Sequence, residues 1–281
     1  NCESTELTAA EQMAQSCGLE SLTIKRDDLI PVLCGGTKIR KLNYLLAQPL
    51  YADAEEWHAT GSIGSGNLVT LASIASHLGK KLHVHCFWVP LTPGIVENLS
   101  QLTADHVTIS YYSSRVSLFL RCPWLFVGQT KRAVVPPGAS CAEGIIGVTR
   151  AGIELSDELR AGLCPSPDRV YVPLGSGGTA VGLALGLALG GTETSVCAVA
   201  VTEHCLSSRR RINSLLRSTQ TRLAALGVHL DGQVPAVPIS IERGFVGRKY
   251  AVSTAAARDA CEHVKEESFD LDVVYSAKAF A

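Results

Sequence analysis

Alternation of strand-like and helical segments is the sequence feature that most limits the folds open to this chain. Residues 57–78 and 169–189 each run in the order strand, glycine-rich loop, helix. Further strands are predicted at residues 22–25, 81–88, 107–112, 196–201 and 237–241, and further helices at 38–46, 94–102, 142–163, 209–226 and 254–267. Such alternation favours mostly parallel sheets covered by helices, so the predicted fold class is α/β.

Three segments have weaker patterns. Residues 113–135 show no clean period, and we predict a helix with irregular chain. Residues 136–140 contain two prolines and a glycine and are predicted to form a loop. Residues 273–276 are predicted to be an extended entry to a last element.

A lysine at a loop-to-helix junction is the first candidate for chemistry. Residues 34–42 have the sequence Cys-Gly-Gly-Thr-Lys-Ile-Arg-Lys-Leu, and the apolar spacing after Lys38 predicts a helix. Lys38 can therefore be held with its amine in a cleft, where desolvation lowers its pKa and makes it a Schiff-base nucleophile. The alternative is a solvated lysine in the first turn of a surface helix.

The glycine loop at residues 175–179 is the second candidate. Gly175, Ser176, Gly177, Gly178 and Thr179 follow a strand and precede a helix, so backbone N–H groups and two hydroxyls lie at the positive end of that helix. This arrangement predicts a phosphate-binding loop. The loop lacks the lysine of a P-loop and the glycine spacing of a dinucleotide fold, and a simple tight turn is the alternative.

A smaller loop of the same kind precedes the helix at residues 68–78. Ser65, Gly66 and Asn67 offer a hydroxyl, an amide and backbone N–H groups suited to a carboxylate or a ring hydroxyl. An ordinary helix N-cap is the alternative interpretation.

Composition excludes several classes of partner. The chain has 281 residues, 46% of them hydrophobic, with a formal net charge of -1 and a pI near 6.8. It can bury a large core, but it has no overall field that would attract nucleic acid or an anionic membrane. No apolar run reaches the roughly 20 residues of a membrane span. We therefore predict neither a nucleic-acid partner nor a membrane.

Cysteine and histidine spacing bears on metal binding and on the cellular compartment. The ten cysteines form no paired C-x-x-C spacing, and His83 and His85 have no partner pair at ligand spacing. We predict no metal site and reduced thiols in a cytoplasmic protein. The chain begins with Asn1 rather than Met and stops at Ala281, so we expect both ends of a longer protein to be missing.

A reactive lysine, a phosphate loop without a nucleotide lysine and a small carboxylate-binding loop are the parts that an amino-acid-handling pyridoxal phosphate enzyme needs. Their order resembles the tryptophan-synthase-like class of these enzymes, called fold type II. Within that class the chain is similar to the 1-aminocyclopropane-1-carboxylate (ACC) deaminase and D-cysteine desulfhydrase family. The resembling pieces are residues 24–28, 35–42, 61–79, 137–140, 175–179 and 274–279, which together span nearly the whole chain.

This resemblance implies a cofactor, pyridoxal 5'-phosphate, and roles for the residues of the three loops. Lys38 matches the lysine that binds the cofactor covalently and shuttles the substrate proton, and Lys41 matches a phosphate-contacting lysine. A solvated helix position is the alternative for Lys41. Ser65 matches a serine that grips the substrate carboxylate or acts as a base, and residues 175–179 match the phosphate loop.

The resemblance also implies roles near the end of the chain. Tyr250 and Tyr275 fall where the family has two active-site tyrosines, although the surroundings of Tyr250 differ. Ser276 occupies the position beside the pyridine nitrogen. A neutral hydroxyl there gives a weaker electron sink than a carboxylate, which favours β-elimination over opening of a cyclopropane ring.

Three departures from the family pattern concern the small loop, the lysine loop and the end of the chain. The family has glutamine and asparagine where this chain has Gly64 and Gly66, so the asparagine that touches the ring hydroxyl is displaced to Asn67 or lost. Thr37 replaces a usual asparagine, and the chain stops before the family's final segment. These departures bear on rate and substrate choice more than on cofactor binding.

The predicted organisation has two domains: residues 1–45 with 149–281 bind the cofactor, and residues 46–148 form a smaller domain. The predicted function is a lyase that acts on a small amino acid and releases keto acid, ammonia and sulfide, as D-cysteine desulfhydrase does. ACC deaminase, a cofactor-binding protein without activity and, more weakly, a nucleotide-binding regulatory domain are the alternatives. The family likeness also suggests a homodimer.

Overall fold

The computed structural model describes residues 4–30, 36–126, 132–228, 238–248, 250–265 and 267–281. Within these ranges the strands are β1 (Leu7–Ala9), β2 (Thr23–Lys25), β3 (Glu56–Ser62), β4 (Lys81–Phe87), β5 (Val107–Tyr112), β6 (Ala133–Val135), β7 (Arg169–Leu174), β8 (Ser195–Ala200) and β9 (Ile239–Glu242). The helices are α1 (Glu11–Ser16), α2 (Thr37–Leu46), α3 (Pro49–Ala52), α4 (Gly66–His77), α5 (Pro93–Gln101), α6 (Arg115–Arg121), α7 (Ala142–Arg160), α8 (Gly178–Leu189), α9 (Arg209–Ala225), α10 (Ala255–His263) and α11 (Ser276–Phe280).

Two parallel sheets form the centre of the molecule. The first has the strand order β5-β4-β3-β6, and the second has the order β7-β8-β9. Strands β1 and β2 form a separate antiparallel pair. The predicted α/β class with mostly parallel, helix-covered sheets is therefore confirmed.

Each sheet has its own hydrophobic core. On the first sheet, inward residues such as Trp57 and Leu82 pack against α2 and α4. On the second sheet, β7 and β8 pack against α8 and α9. Helix α8 is apolar almost all round, as expected for a helix covered on every side.

Glycines bring α2, α7 and α8 unusually close together. A Cβ atom on Gly147 of α7 would lie 1.9 Å from the carbonyl oxygen of Arg40 in α2. A Cβ atom on Gly186 of α8 would lie 2.1 Å from the carbonyl oxygen of Thr149 in α7. Because α2 also contributes Leu42 to the core of the first sheet, this helix contacts both halves of the fold.

Several segments differ from the sequence prediction. Strand β6 lies in the segment that was predicted as helix and irregular chain, because three residues at a sheet edge are too few to show a period. Residues 273–275 form a turn and not an extended entry, since the Asp272 carboxylate accepts the N–H groups of Val274 and Tyr275. Helix α10 ends at His263, whereas the prediction ran to residue 267.

Some predictions fall partly outside the described residues, among them Cys34 and Gly35 of the lysine loop and Val237 of the strand predicted at 237–241. The sequence gives His83 and His85 no partner pair at ligand spacing, because spacing along the chain does not show which strands are neighbours. In the parallel sheet, β3 brings His58 directly opposite His83. Among the helices of the described ranges, none combines the length and the apolar character that crossing a bilayer requires.

Candidate active site

A single cleft is lined by nearly all of the residues that the sequence singled out. Its lining includes Lys38, Lys41, Ser65, Asn67, Gly175, Ser176, Gly177, Thr179, Tyr250, Tyr275 and Ser276. The exception is Gly178, the first residue of α8. Segments that are far apart in the chain therefore meet at one place.

Lys38 lies in the first turn of α2, half-buried at the cleft. Its amine is 5.9 Å from the centre of the Tyr275 ring. Burial lowers the pKa of Lys38, and the negative charge of Asp272 opposes this shift. A larger fraction of the amine is therefore neutral and nucleophilic than for a solvated lysine.

Lys41 lies one helical turn further along and is only 2% exposed. Its amine points to the N-terminus of α8, where a Cβ atom on Gly178 would lie 3.0 Å from Lys41 Nζ. Burial, reinforced by the charge of Lys38, lowers the pKa of Lys41 well below its usual value. A bound anion would offset this cost of burying a positive charge.

Two serines complete the concave surface at the start of α8. Ser140 Oγ and Ser176 Oγ are 2.7 Å apart. A Cβ atom on Gly178 would lie 2.5 Å from Ser140 Oγ, and one on Gly138 would lie 2.7 Å from Ser176 Oγ. The glycines thus keep open a small space lined by hydroxyls, an amine and backbone N–H groups.

Gly177 has a different structural role. Its φ of +91° is a left-handed conformation that favours glycine, and it precedes the first residue of α8. A Cβ atom there would point to Leu215, 3.3 Å from Cδ1, on the core side. Gly177 therefore shapes the loop and does not line the concave surface around Lys41.

The first turn of α4 contains an asparagine, Asn67, whose side-chain oxygen is unpaired among the described residues. Asn67 is 8% exposed, and its Oδ1 is buried without a hydrogen-bond partner among the described residues. Ser65 occupies the N-cap position of α4, but its side chain makes no capping hydrogen bond. Both side chains are therefore able to bind a group in the cleft.

The fold explains one of the two glycines that depart from the family pattern. Gly64 has a φ of +67°, and a Cβ atom there would lie 2.5 Å from the carbonyl oxygen of Ile95 in α5. A glutamine at this position would require α5 to move. Nothing lies within 4 Å of a Cβ atom on Gly66, so packing does not explain the second glycine.

A chain of hydroxyl groups crosses the cleft. Tyr250 Oη and Tyr275 Oη are 2.6 Å apart, and Tyr250 Oη is 3.3 Å from Ser62 Oγ at the end of β3. Burial, followed by the neighbouring Tyr250, raises the pKa of Tyr275 well above its usual value. Tyr275 is therefore protonated at neutral pH.

Ser276 is the first residue of α11. Its Oγ accepts the backbone N–H of Asp272 at 2.7 Å. Its proton has only a long contact of 3.4 Å to the Asp272 carbonyl oxygen, so the hydroxyl can donate to another acceptor.

A buried ionic network anchors α2. Arg40 is 3% exposed and contacts Asp27 and Glu154, each at 2.8 Å. Lys25 contacts Glu154 and Glu158, each at 2.6 Å. Burial opposes ionisation of Glu154, but the hydrogen bonds from Arg40 and Lys25 outweigh it and lower the pKa to about 2. The network ties the lysine helix to β2 and α7.

Sequence reasoning missed three side chains of the cleft. Ser62 and Asp272 were not considered, because a lone serine in a strand and a lone aspartate in a turn carry no signal. Ser140 lies in the segment 137–140 that resembles the family, but it was read as part of a loop. Its contact with Ser176 becomes visible only in the fold.

Solved structures share this fold. A structure titled as an ACC deaminase homologue superposes with a TM-score of 0.79 at 24% sequence identity, covering 99% of this chain and 82% of that chain. Maize serine racemase superposes with a TM-score of 0.64 at 14% identity, covering 99% and 83%. The fold is therefore that of the fold type II enzymes.

Sequence comparisons identify the family to which the chain belongs. Residues 2–281 match the family described as pyridoxal-phosphate dependent enzyme. D-cysteine desulfhydrase of Serratia proteamaculans is 27% identical over 294 residues, covering 99% of this chain and 84% of that protein. Nocardicin C-9' epimerase of Nocardia uniformis subsp. tsuyamanensis is 31% identical over 272 residues, covering 92% and 79%. The chain belongs to the pyridoxal-phosphate dependent enzyme family.

The cleft fits the cofactor of that family. The space beside Gly178, which a methyl group would fill, suits a phosphate, and the buried amine of Lys41 supplies the opposite charge. The unpaired Oδ1 of Asn67 is an acceptor for a ring hydroxyl. Lys38 lies on the same helix as Lys41, and its amine is of the kind that reacts with an aldehyde.

Proposed function

We propose that this protein is a lyase that eliminates the β-substituent of a small amino acid, with D-cysteine as the preferred substrate and pyruvate, ammonia and sulfide as products. The observation that carries the proposal is the position of Lys38, whose half-buried amine lies beside the Tyr250–Tyr275 hydroxyl pair in the cleft. The name of the Serratia proteamaculans relative supports the choice of substrate.

Pyridoxal phosphate, when bound, supplies an electron sink that acidifies the α-C–H bond of an amino acid. The chain's own residues hold and orient the reactants. Lys41, Ser140 and the backbone of residues 175–179 bind the phosphate in this proposal, and Asn67 meets the ring hydroxyl. Ser65 and the N-terminus of α4 bind the substrate carboxylate, because N–H groups at a helix N-terminus favour an anion.

Lys38 removes the α-proton in the proposed reaction. A base must be neutral, and burial favours the neutral amine of Lys38 by lowering its pKa. The hydroxyls of Tyr250 and Tyr275 are joined by a short hydrogen bond of 2.6 Å. Their hydroxyls can orient the substrate or protonate the leaving sulfur.

Ser276 favours elimination over ring opening. Its hydroxyl is neutral and can donate a hydrogen bond to an unprotonated ring nitrogen, which gives a moderate electron sink. A thiolate leaves with its own negative charge and needs no stronger sink. Opening of a cyclopropane ring releases no such leaving group and would need a stronger sink, so we expect little 2-oxobutanoate from ACC.

The test is a substrate comparison with the cofactor-loaded protein. D-cysteine, L-cysteine and ACC are supplied separately, and sulfide, ammonia and keto acid are measured. We expect equal amounts of sulfide and pyruvate from D-cysteine, with the highest kcat/KM of the three substrates. A higher kcat/KM for ACC would overturn the assignment and the role given to Ser276.

Two further outcomes distinguish the other candidates. Exchange of the α-proton in deuterated water without sulfide release would indicate an epimerase, as the name of the Nocardia uniformis relative suggests for that protein. Cofactor binding without any product or exchange would indicate a binding protein.

The proposed domain organisation and cellular location follow the family likeness. We propose that residues 1–45 and 149–281 form the cofactor-binding domain and that residues 46–148 form the smaller one. We propose a homodimer in the cytoplasm; the eight cysteines within the described ranges are all free thiols, which supports a reducing compartment.

A further inference from the structure

Three histidines meet on the first sheet, on the face opposite its hydrophobic core. His58 lies on β3, and His83 and His85 lie two residues apart on β4, so all three point to the same side. The neighbouring residues Trp57 and Leu82 point to the core. None of the three histidines lines the cleft.

The imidazole rings are close enough to share one ligand. One nitrogen from each ring can be chosen so that all three lie within 4.8 Å of one another. The centres of the His83 and His85 rings are 4.2 Å apart, and those of His58 and His83 are 5.5 Å apart. The His83 and His85 rings are stacked at 21°, so at least one of them must rotate for both to reach a Zn–N distance of about 2.0 to 2.1 Å around a common centre.

Two ring nitrogens of the three histidines are buried and unpaired among the described residues. Nδ1 of His58 and Nε2 of His85 have no hydrogen-bond partner in the part of the chain that the structure describes. His85 is only 3% exposed, so leaving Nε2 unsatisfied is costly. A bound ligand would remove this cost.

The other ring nitrogens have partners of the kind that orient metal-binding histidines. His83 Nε2 is 2.8 Å from Ser110 Oγ, and His85 Nδ1 is 3.2 Å from Tyr112 Oη. His58 Nε2 is 3.5 Å from a carboxylate oxygen of Glu56. Such partners fix the orientation of a ring and increase its basicity toward a metal on the other nitrogen.

An aromatic side chain covers the cluster. The indole of Trp124 lies edge-on to His58 and His85, with ring centres 5.1 and 5.5 Å apart. The imidazoles therefore border an apolar surface on this side.

We propose that His58, His83 and His85 bind one divalent transition-metal ion, with Zn²⁺ as the best fit, and that this ion joins β3 to β4. Three nitrogen ligands suit Zn²⁺ and the other divalent transition-metal ions that bind imidazole. They exclude Ca²⁺ and Mg²⁺, which need oxygen ligands. One coordination position is left for a further ligand. The positive charge of Arg132, which lies 4.6 Å from the Trp124 ring, weakens the site, and Glu56 offsets it in part.

The experiment uses the pyridoxal phosphate-loaded protein, first dialysed against a chelator and then freed of it. ZnCl₂ is titrated by calorimetry, and CoCl₂ is titrated by visible absorption, because the d–d bands of Co²⁺ report a tetrahedral site. We expect one equivalent of each metal to bind and the Tm to rise with Zn²⁺. Sulfide release should not change, because the histidines lie outside the cleft.

The variants are His58→Asn and His83→Asn, with His77→Asn as the control. His77 is exposed at the end of α4 and outside the cluster. Losing a partner that orients a metal ligand costs about 10- to 100-fold in affinity, so loss of a ligand itself should cost at least tenfold. His77→Asn should bind zinc as the original protein does.

Circular dichroism and sulfide release establish that each variant is folded, and either folded variant suffices for the test. The proposal is overturned if neither metal binds at one equivalent, or if a folded His58→Asn or His83→Asn variant binds zinc as tightly as the control. An octahedral Co²⁺ spectrum would also overturn it, since that geometry indicates oxygen ligands from the surface.

Discussion

Lys38 and Lys41 are one turn apart on α2, yet their amines point to different parts of the cleft. Lys38 lies beside the Tyr275 ring, and Lys41 lies at the start of α8. Helical geometry fixes this separation, because side chains three positions apart leave the same face one turn from each other. One helix can therefore supply both the covalent link and a phosphate contact.

Lys38→Ala should abolish borohydride-reducible attachment of pyridoxal phosphate, because among the described residues Lys38 is the lysine whose amine lies over the Tyr275 ring. Lys41→Ala is the matched comparison and should keep the covalent link while binding the cofactor more weakly. The measurement is the cofactor chromophore before and after borohydride, followed by mass spectrometry. A reducible chromophore in the Lys38→Ala variant would show that another residue forms the link.

Gly178→Ala should raise the Kd for pyridoxal phosphate by about tenfold or more, because the new methyl group would lie 3.0 Å from Lys41 Nζ and displace a charge-assisted contact of about 1.5 to 3 kcal/mol. Gly177→Ala is the control, since its methyl group would face Leu215. That variant should lose about 1 kcal/mol of stability through its left-handed backbone, with a smaller change in Kd. Cofactor titration and thermal unfolding check both values, and equal effects on Kd would contradict the phosphate site.

At the scale of elements, close contacts with α7 determine the position of α2, the helix that carries Lys38 and Lys41. Gly147 allows α2 to approach, and Gly152 allows α8 to approach, with a Cβ atom 2.7 Å from the Leu183 carbonyl oxygen. The ionic network of Arg40 and Glu154 fixes α2 along the same helix. Small shifts at these contacts move the amines of Lys38 and Lys41 relative to the phosphate loop.

Gly147→Ala should destabilise the protein by about 1 to 3 kcal/mol, because its methyl group would collide with backbone and not with a movable side chain. Gly94→Ala in α5 is the control, since nothing lies within 4 Å of its Cβ atom and alanine favours a helix. Urea unfolding of the two variants measures the difference. A Gly147→Ala variant as stable as the control would contradict the packing described here.

The ion pairs of Glu154 should make stability depend on pH in acid. The folded pKa of about 2 lies below the unfolded value of 4.5, so the carboxylate stabilises the fold above pH 4.5. This contribution, about 3 kcal/mol, is lost as the pH falls from 4.5 toward 2.

Glu154→Gln provides the test. Urea unfolding of both proteins between pH 7 and pH 3 gives the difference in stability, and we expect that difference to shrink as the pH falls. A constant difference would mean that the pKa of Glu154 is not lowered in the fold.

Some of these elements could be predicted from the sequence and others could not, for physical reasons. Strands β3 and β7 have glycine loops and long apolar helices after them, so their type was clear. Strand β6 has three residues, and the turn at 273–275 depends on the side chain of Asp272, so neither gave a periodic signal. The meeting of His58 with His83 depends on strand register, which chain spacing does not contain.

At the scale of the whole molecule, α6 presents an apolar surface to solvent. Val116, Phe119 and Leu120 are 68%, 52% and 73% exposed, and the Phe119 ring is 5.4 Å from that of Phe126. Large contiguous apolar patches on a protein surface often mark protein–protein contacts. We infer that this surface lies in the interface of the proposed homodimer.

Leu120→Glu should convert the dimer to a monomer, because a charge would be buried in the interface. Leu163→Glu is the control, since Leu163 is 66% exposed but distant in sequence, after α7. Size-exclusion chromatography with light scattering gives the mass of each variant. A protein that is already monomeric before substitution would refute the homodimer, and a dimeric Leu120→Glu variant would refute this interface.

The hydroxyl chain from Ser62 through Tyr250 to Tyr275 sets a condition on biosynthesis. Ser62 is translated early, whereas its two partners come near the end of the described chain. During translation the first sheet can form long before the two tyrosines have left the ribosome. The tyrosine side of the cleft is therefore completed late in translation, only after residues 250 and 275 have left the ribosome and can meet Ser62.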